Sequence, residues 1–348
     1  MEQYGVLVVD DSSFMRRCIS QIIEKEPQFF IIGIARNGQD ALEKVQRLKP
    51  DIVTMDVEMP EMDGIEALCQ IMKVCPVPVV MLSNHTEYGA KTTIKALELG
   101  AVDFFLKSEL VGDDAAPRAV NTFLNCLKTI VKGVKIPVYE EQIIAQEVQP
   151  KVINGSGQRA DLLVIGCSTG GPSALQSLLP RFTKELNVPI IVIQHMPPGF
   201  TGPLAERFDT ICNLRVKEAQ DGDALETGTI YIAPAGYQTF LNRKSDGTVL
   251  LQIEDYSPIE TLYKPSVNVT LLSAAQVYKN RLLALIMTGM GNDGLLGCEE
   301  IKRQNGKVIV EAEESCIVYG MPKVVFEAGL ADAQVPLHQI YQQVMQNL

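Results

Sequence analysis

The sequence of 348 residues predicts an α/β protein with two domains joined by a linker. Short apolar runs alternate with amphipathic stretches in both halves of the chain, which is typical of parallel sheets covered by helices. Between the halves this alternation stops. We therefore expect an N-terminal domain over residues 1–125, a linker over 126–158 and a C-terminal domain over 159–348.

Five short apolar runs predict the strands of the N-terminal domain: VLVV, FFIIGIA, DIVTMD, PVVMLS and VDFFLK. Stretches with helical periodicity, such as SFMRRCISQIIEK and GQDALEKVQRL, lie between them. Strands that alternate with helices are joined by crossover connections. The pattern therefore indicates a doubly wound, five-stranded parallel sheet.

The linker is predicted from the segment KGVKIPVYEEQIIAQEVQPKVINGSGQRA, which mixes proline, glycine, glutamine and charged residues with weak periodicity. Its first turns are expected to extend the preceding helix.

The C-terminal domain repeats the alternation of strands and helices. Its predicted strands are LLVIG, PIIVIQ, TIYIAP, LLALIMTG and KVIVEA, and its helices include SVNVTLLSAAQVYK and LLGCEEIKRQ. The segment LNRKSDGTVLLQI carries Asp-Gly between two alternating runs, which is typical of a β-hairpin. We expect a mostly parallel sheet with one inserted hairpin.

Composition argues against several classes of protein. The net charge of -11 and the pI near 4.9 disfavour a nucleic-acid partner, because binding to phosphate backbones depends on lysine and arginine. No apolar run reaches the length of a membrane helix, and the N-terminus enters a strand without a signal-peptide pattern. The eight cysteines form no CxxC pair and are expected to be free thiols in the cytoplasm.

Polar residues follow four predicted strands of the N-terminal domain. Asp10 and Asp11 end the first strand, Asp56 the third, Ser83 the fourth and Lys107 the fifth. The carboxyl ends of parallel strands share one edge of the sheet, so three carboxylates and a lysine are expected to meet there. Such oxygen ligands suit Mg²⁺, and the lysine would help to neutralise a phosphoryl group on Asp56.

This half resembles the response-regulator receiver family, which has a flavodoxin-like fold, through the motifs VLVVDDSSFMRR, DIVTMDVEMPEMDG and FFLK. The resemblance implies that Asp56 is the phosphoacceptor. It also implies that Mg²⁺ is bound by Asp10, Asp11, Asp56 and the Glu58 carbonyl. The residues that would respond to phosphorylation are Ser83, Phe105 and Lys107. Ser108 stands where the family usually has proline, which leaves the geometry of that peptide open.

In the C-terminal domain, the turn Gly166–Gly171 matches G-x-S-x-G with Ser168 at its centre. Glycines permit a tight strand-to-helix turn that exposes the hydroxyl, as in a nucleophile elbow. A serine is also a favoured helix N-cap, and from this segment alone the two interpretations are level.

A serine nucleophile needs a base, and the chain has three histidines. His85 belongs to the N-terminal domain and His338 to a C-terminal helix, whereas His195 directly follows a strand of the same sheet as Ser168. Asp293 follows the strand LLALIMTG and is a candidate for the orienting acid, although it could simply cap the next helix. Backbone amides near Met290 or Thr169 could stabilise an oxyanion.

A competing interpretation exists for the segment TGMGNDG. Gly289, Gly291 and Gly294 form a G-x-G-x-x-G pattern, and Glu311 follows at about the distance of a dinucleotide-binding fingerprint. This would make the C-terminal half a module that only binds a nucleotide or a partner. It would leave Ser168 and His195 unexplained.

Five ordered motifs resemble the catalytic domain of the chemotaxis protein-glutamate methylesterases, the CheB family: IGCSTGGPSAL, IVIQHMPPGFT, DGDALETGTIYIAPAG, MTGMGNDG and YGMPK. The order Ser, His, Asp also differs from that of ordinary α/β-hydrolases. The resemblance implies a phosphorylation-activated esterase with a triad of Ser168, His195 and Asp293.

Further expectations follow from the same resemblance. The esterase needs no cofactor, its substrates are glutamate methyl esters and some glutamines on chemoreceptors, and a chemotaxis histidine kinase supplies the phosphoryl group. The enzyme would meet the membrane only through its receptors. Gln238 and Asn268 depart from the family pattern; these departures could alter the substrate groove or its docking contacts, but they spare the triad.

Overall fold

Each half of the chain builds its own parallel sheet. The structure is a computed structural model, and it describes residues 2–84, 86–111, 117–133 and 159–348. His85 and the greater part of the expected linker, residues 134–158, lie outside the described residues, whereas residues 126–133 continue a helix.

The N-terminal sheet has five strands in the order β2-β1-β3-β4-β5, and all its pairs are parallel. The strands are β1 (Tyr4–Val9), β2 (Phe29–Ala35), β3 (Ile52–Asp56), β4 (Val79–Ser83) and β5 (Asp103–Leu106). The helices are α1 (Ser13–Ile23), α2 (Gly38–Leu48), α3 (Gly64–Val74), α4 (Glu87–Glu98), α5 (Lys107–Leu110) and α6 (Pro117–Gly133). The predicted doubly wound sheet is confirmed.

Polar caps fix where the first helices begin. Ser12, Asn37 and Asp63 each accept a hydrogen bond from a backbone amide in the first turn of α1, α2 and α3. The apolar stripes of these helices then pack on the sheet. The central strands are buried on both faces, which is why they appear in the sequence as unbroken apolar runs.

The C-terminal sheet has seven strands in the order β14-β13-β12-β6-β7-β9-β8 and is entirely parallel. Its strands are β6 (Leu162–Cys167), β7 (Ile190–Gln194), β8 (Arg215–Glu218), β9 (Thr229–Ile232), β12 (Leu282–Ile286), β13 (Lys307–Glu311) and β14 (Ala333–Val335). The predicted hairpin forms a separate antiparallel pair, β10 (Gln238–Arg243) and β11 (Val249–Glu254).

The helices of this domain are α7 (Gly171–Leu178), α8 (Thr201–Ile211), α9 (Val267–Tyr278), α10 (Leu295–Arg303), α11 (Met321–Glu327) and α12 (Leu337–Met345). The sequence analysis missed strands β8 and β14. Both lie at sheet edges and have few fully buried residues, so they lack the apolar runs that marked the other strands. None of the helices in the described ranges is long and apolar enough to cross a membrane.

The two domains are in contact through β5 and α4. Phe104 on β5 stacks on Phe200 with ring centroids 4.6 Å apart. Arg207 on α8 forms an ion pair with Glu98 at the end of α4. The apolar contact continues the core of one domain into that of the other.

Candidate active site and phosphoacceptor site

Three predicted site residues follow three neighbouring strands. Ser168 follows β6, His195 follows β7 and Asp293 lies in the loop after β12, and β6 lies between the other two in the sheet. The chain order of the strands reverses at β6, and ligands of open α/β sheets bind at such switch points.

The turn that carries Ser168 is held by backbone contacts. The Ser168 amide donates to the Thr288 carbonyl at 3.0 Å, and its carbonyl accepts from the Gly171 amide at 2.7 Å. Gly170 has a φ of 77°, a left-handed conformation that favours glycine. A Cβ on Gly289 would lie 2.8 Å from the Ser168 Cβ, so only glycine lets the Met290 loop approach so closely.

Gln194, which the sequence analysis did not single out, ties this turn to His195. Its buried Nε2 donates to the carbonyls of Ser168 and His195, both at 3.0 Å, while its Oε1 accepts from the Cys167 thiol. The side chain therefore fixes the spacing between the two turns. Its position at the last residue of a buried strand was the one available signal.

His195 is half-buried and contacts Asp293 directly. Its Nε2 lies 2.8 Å from the Asp293 Oδ2. The other ring nitrogen, Nδ1, is buried and has no hydrogen-bond partner among the described residues. Nδ1 is therefore the nitrogen left to accept a proton.

Asp293 is buried and strongly hydrogen-bonded. It accepts from the Ser266 hydroxyl and from the amides of Val267 and Asn268 at the first turn of α9. Burial alone would raise the pKa of Asp293, but the hydrogen bonds and charge of His195, together with these amides, lower it. Asp293 is thus a carboxylate aimed at the imidazole. It caps α9, not the helix that follows it in sequence.

Asn268 and Gln238, which depart from the family pattern, both form hydrogen bonds to backbone groups near Asp293. Asn268 Oδ1 accepts from the amides of Gly294 and Gly297 at 2.9 Å, and so caps α10. Gln238 is fully buried and bonds to the Tyr263 carbonyl and the Ser266 amide. Both side chains thus hold the loops around Asp293, and an effect on a substrate groove or docking contact stays a prediction.

Tyr263 covers the imidazole of His195, with ring centroids 4.1 Å apart and planes inclined by 5°. The sequence analysis missed this residue because it lies in an irregular segment, far along the chain from His195. No spacing rule links the two positions.

The dinucleotide interpretation is disfavoured by the surroundings of Glu311. This carboxylate is fully buried and accepts from the Thr288 amide at 2.8 Å and the Ser315 hydroxyl at 2.9 Å. It is therefore committed to the protein interior and cannot bind a ribose hydroxyl.

A second polar cluster lies at the carboxyl edge of the N-terminal sheet. Ligand oxygens of Asp10, Asp11 and Asp56 lie within 4.8 Å of one another. The Lys107 ammonium is 2.8 Å from Asp10 and 2.6 Å from Asp56. Burial raises the pKa of Asp56 to about 6, although Lys107 opposes this shift.

The other residues assigned to this cluster lie around it. The Glu58 amide donates to Asp56 at 3.3 Å, and the buried Ser83 hydroxyl accepts from Thr93 at 2.8 Å. Phe105 packs edge-on against Phe123 of α6 at 5.1 Å. The described residues have their cis peptide at Lys264–Pro265, so the bond before Ser108 is trans.

One hydrogen bond joins the Ser168 turn to the N-terminal domain. The Thr169 hydroxyl donates to the Asp103 carboxylate at 2.6 Å. Thr169 follows Ser168, and Asp103 begins β5, the strand that leads into Lys107. Met290, the other residue predicted to supply an oxyanion amide, follows Gly289 in the loop against Ser168.

Comparison with known proteins identifies a family for each half of the chain. The family model described as CheB methylesterase matches residues 163–344, and that of the response regulator receiver domain matches residues 6–112. The chain belongs to the CheB methylesterase family. The similarity extends over both domains and over 94% to 100% of the length of the first curated relatives.

A protein-glutamate methylesterase/protein-glutamine glutaminase of Oceanobacillus iheyensis is 41% identical over 100% of both chains. The corresponding protein of Thermotoga maritima is 40% identical over 98% of this chain and 97% of its own length. The crystal structure of the Thermotoga maritima CheB methylesterase catalytic domain superimposes with a TM-score of 0.53 at 41% identity. It covers 55% of this chain and 100% of its own.

Proposed function

We propose that this protein is a phosphorylation-controlled esterase that hydrolyses glutamate γ-methyl esters on chemoreceptors and deamidates some of their glutamines. Its place would be the cytoplasm, where it would meet the membrane only through its receptor substrates. A chemotaxis histidine kinase would supply the phosphoryl group. The relatives are named protein-glutamate methylesterase/protein-glutamine glutaminase, which supports protein glutamate esters and glutamines as the substrate class.

The observation that best supports the chemistry is the pair of His195 and Asp293 beside the Ser168 turn. If Nε2 carries the hydrogen donated to Asp293, Nδ1 keeps a lone pair and can act as the base. A buried carboxylate with a lowered pKa stays ionised and stabilises the imidazolium formed during the reaction.

In the proposed mechanism the Ser168 hydroxyl attacks the ester carbonyl while His195 accepts its proton. His195 then donates the proton to the methoxy oxygen, the bond between this oxygen and the carbonyl carbon breaks, methanol leaves and an acyl-serine remains. A water molecule, deprotonated by the same imidazole, releases the glutamate carboxylate. For a glutamine substrate the same acyl-serine forms with ammonia as the leaving group.

Backbone amides near Met290 and Thr169 would stabilise the tetrahedral oxyanion. Each such donor contributes about 3 kcal/mol in comparable sites. The close approach of Gly289 to Ser168 supports this assignment for the Met290 loop.

Phosphorylation at Asp56 is supported by the carboxylate cluster. Three carboxylates at this spacing fit a hard divalent cation, so Asp10, Asp11, Asp56 and the Glu58 carbonyl would hold Mg²⁺. When bound, the ion neutralises negative charge on a phosphoryl group. Lys107 would bind a phosphoryl oxygen, and Ser83 and Phe105 would change conformation in response.

The proposal is tested by replacing the nucleophile. Ser168→Ala is expected to reduce methanol release from a methylated receptor fragment about a thousandfold or more, without changing the unfolding temperature. Ser177→Ala, at an exposed position on α7, is the matched control and should retain full activity. Substantial turnover by Ser168→Ala would refute the mechanism.

A further inference from the structure

The imidazole of His195 has one side-chain hydrogen bond among the described residues. Nε2 bonds to Asp293, whereas Nδ1 has no partner among the described residues. A single hydrogen bond fixes one point of the ring but allows it to tilt about that point. A second contact that holds the ring plane would fix the direction in which Nδ1 points.

Tyr263 supplies a flat surface against this ring. The two planes are within 5° of parallel and the centroids are 4.1 Å apart, so the two rings are stacked face to face. The tyrosine ring therefore opposes tilting of the imidazole. An aromatic face also attracts the positive charge that the imidazole gains when it takes a proton.

The backbone of Tyr263 is itself held in place. The buried Gln238 donates to the Tyr263 carbonyl at 2.8 Å and accepts from the Ser266 amide at 2.9 Å. Ser266 in turn donates to Asp293 at 2.9 Å. The segment that carries the tyrosine is thus tied to the carboxylate that orients the histidine.

We propose that Tyr263 is a positioning residue that holds the plane of His195 so that Nδ1 faces Ser168. This inference rests on the proposed function of Ser168 and His195. The hydroxyl of the tyrosine takes no part in the stack, so the aromatic ring alone should be sufficient.

Tyr263→Leu and Tyr263→Phe separate the contribution of the aromatic ring from that of the hydroxyl. Loss of the ring in Tyr263→Leu is expected to lower kcat for methanol release about tenfold to a hundredfold with little change in KM, because small displacements of catalytic groups have effects of this size. Labelling of Ser168 by a fluorophosphonate should slow by a similar factor. Tyr263→Phe should stay within about twofold of the wild type.

Tyr256→Leu is the matched control, since Tyr256 is 66% exposed in the same irregular segment. Wild-type labelling and kcat in Tyr263→Leu would overturn the inference while leaving the proposed function intact. Equal losses in Tyr263→Leu and Tyr263→Phe would also overturn it. If fluorophosphonate labels the wild type and Ser168→Ala equally, the proposed function itself fails.

Discussion

Asp103 of the N-terminal domain contacts Thr169, the residue that follows Ser168, through its carboxylate. It accepts hydrogen bonds from the Thr169 hydroxyl and the Phe104 amide. Burial raises the pKa of Asp103 from 3.8 to about 6, although these hydrogen bonds oppose the rise. The contact between the domains therefore favours the protonated carboxyl group.

The raised pKa of Asp103 makes the strength of the domain contact depend on pH. If separation of the domains exposes Asp103 to water, its pKa returns toward 3.8, and the joined arrangement is then the one that binds the proton more tightly. The contact is strongest at low pH and weakens as the pH rises from 3.8 to about 6. Above a pH of about 6, Asp103 is ionised, and its negative charge, which is removed from water, opposes the domain contact fully.

Asp103→Asn removes this charge and keeps a side chain that can hydrogen-bond to Thr169. If the contact restrains the esterase, the unphosphorylated variant should be less active than the wild type at pH 7.5, by about threefold or more, since one pKa unit corresponds to a tenfold change in the equilibrium. The difference between the two proteins should shrink as the pH falls from about 6 toward 3.8. The ratio of their methanol-release rates measures the effect, with Asp246→Asn on the exposed hairpin as control. A ratio that does not vary with pH would contradict this expectation.

Helices α9 and α10 cap each other across the active site. Asp293, just before α10, accepts from the first amides of α9, and Asn268, in the first turn of α9, accepts from two amides of α10. Negative and polar groups at helix N-termini satisfy amides that have no partner within the helix. The exchange fixes the end of the loop that carries Asp293 against the start of α9.

Asn268→Ala removes the hydrogen bonds that Asn268 accepts from the amides of Gly294 and Gly297. We expect a loss of about 1 kcal/mol of stability, the usual value for a helix cap, and a fall in the unfolding temperature of about 2–4 °C. Asn242→Ala, at an exposed position on β10, should unfold like the wild type. Thermal unfolding of both variants provides the comparison, and equal unfolding temperatures would argue against the capping role.

At the scale of the whole molecule, β5 connects the two sites. The residue after its last position, Lys107, contacts Asp56, while Asp103 and Phe104 at its start contact Thr169 and Phe200. A phosphoryl group on Asp56 would change the partners of Lys107 at one end of this short strand. The other end contacts the catalytic domain, so a shift of β5 would alter the domain contact.

Asp56→Asn is expected to abolish activation by acetyl phosphate while leaving unphosphorylated activity close to that of the wild type. The amide cannot accept a phosphoryl group but nearly preserves side-chain volume. Methanol release with and without the phosphodonor measures the response, and Asp40→Asn on α2 should respond like the wild type. Full activation of the Asp56 variant would place the phosphoacceptor elsewhere.

The periodicity of the sequence was enough to predict both parallel sheets, because buried strands and amphipathic helices leave different patterns. It also indicated which polar residues end strands, and therefore which could share a sheet edge. Asp10, Asp56 and Lys107 were placed together on this basis, and the structure brings them within contact distance.

The sequence by itself thus determined the fold class and the set of candidate residues. Only the tertiary structure decided the order of the strands, the imidazole nitrogen that meets Asp293, the stacking of Tyr263 and the partners of Asn268 and Asp103. The physical reason is that periodicity records whether a side chain is buried and on which face of its own element. It carries no record of which distant side chain meets it, since that depends on how separate elements pack.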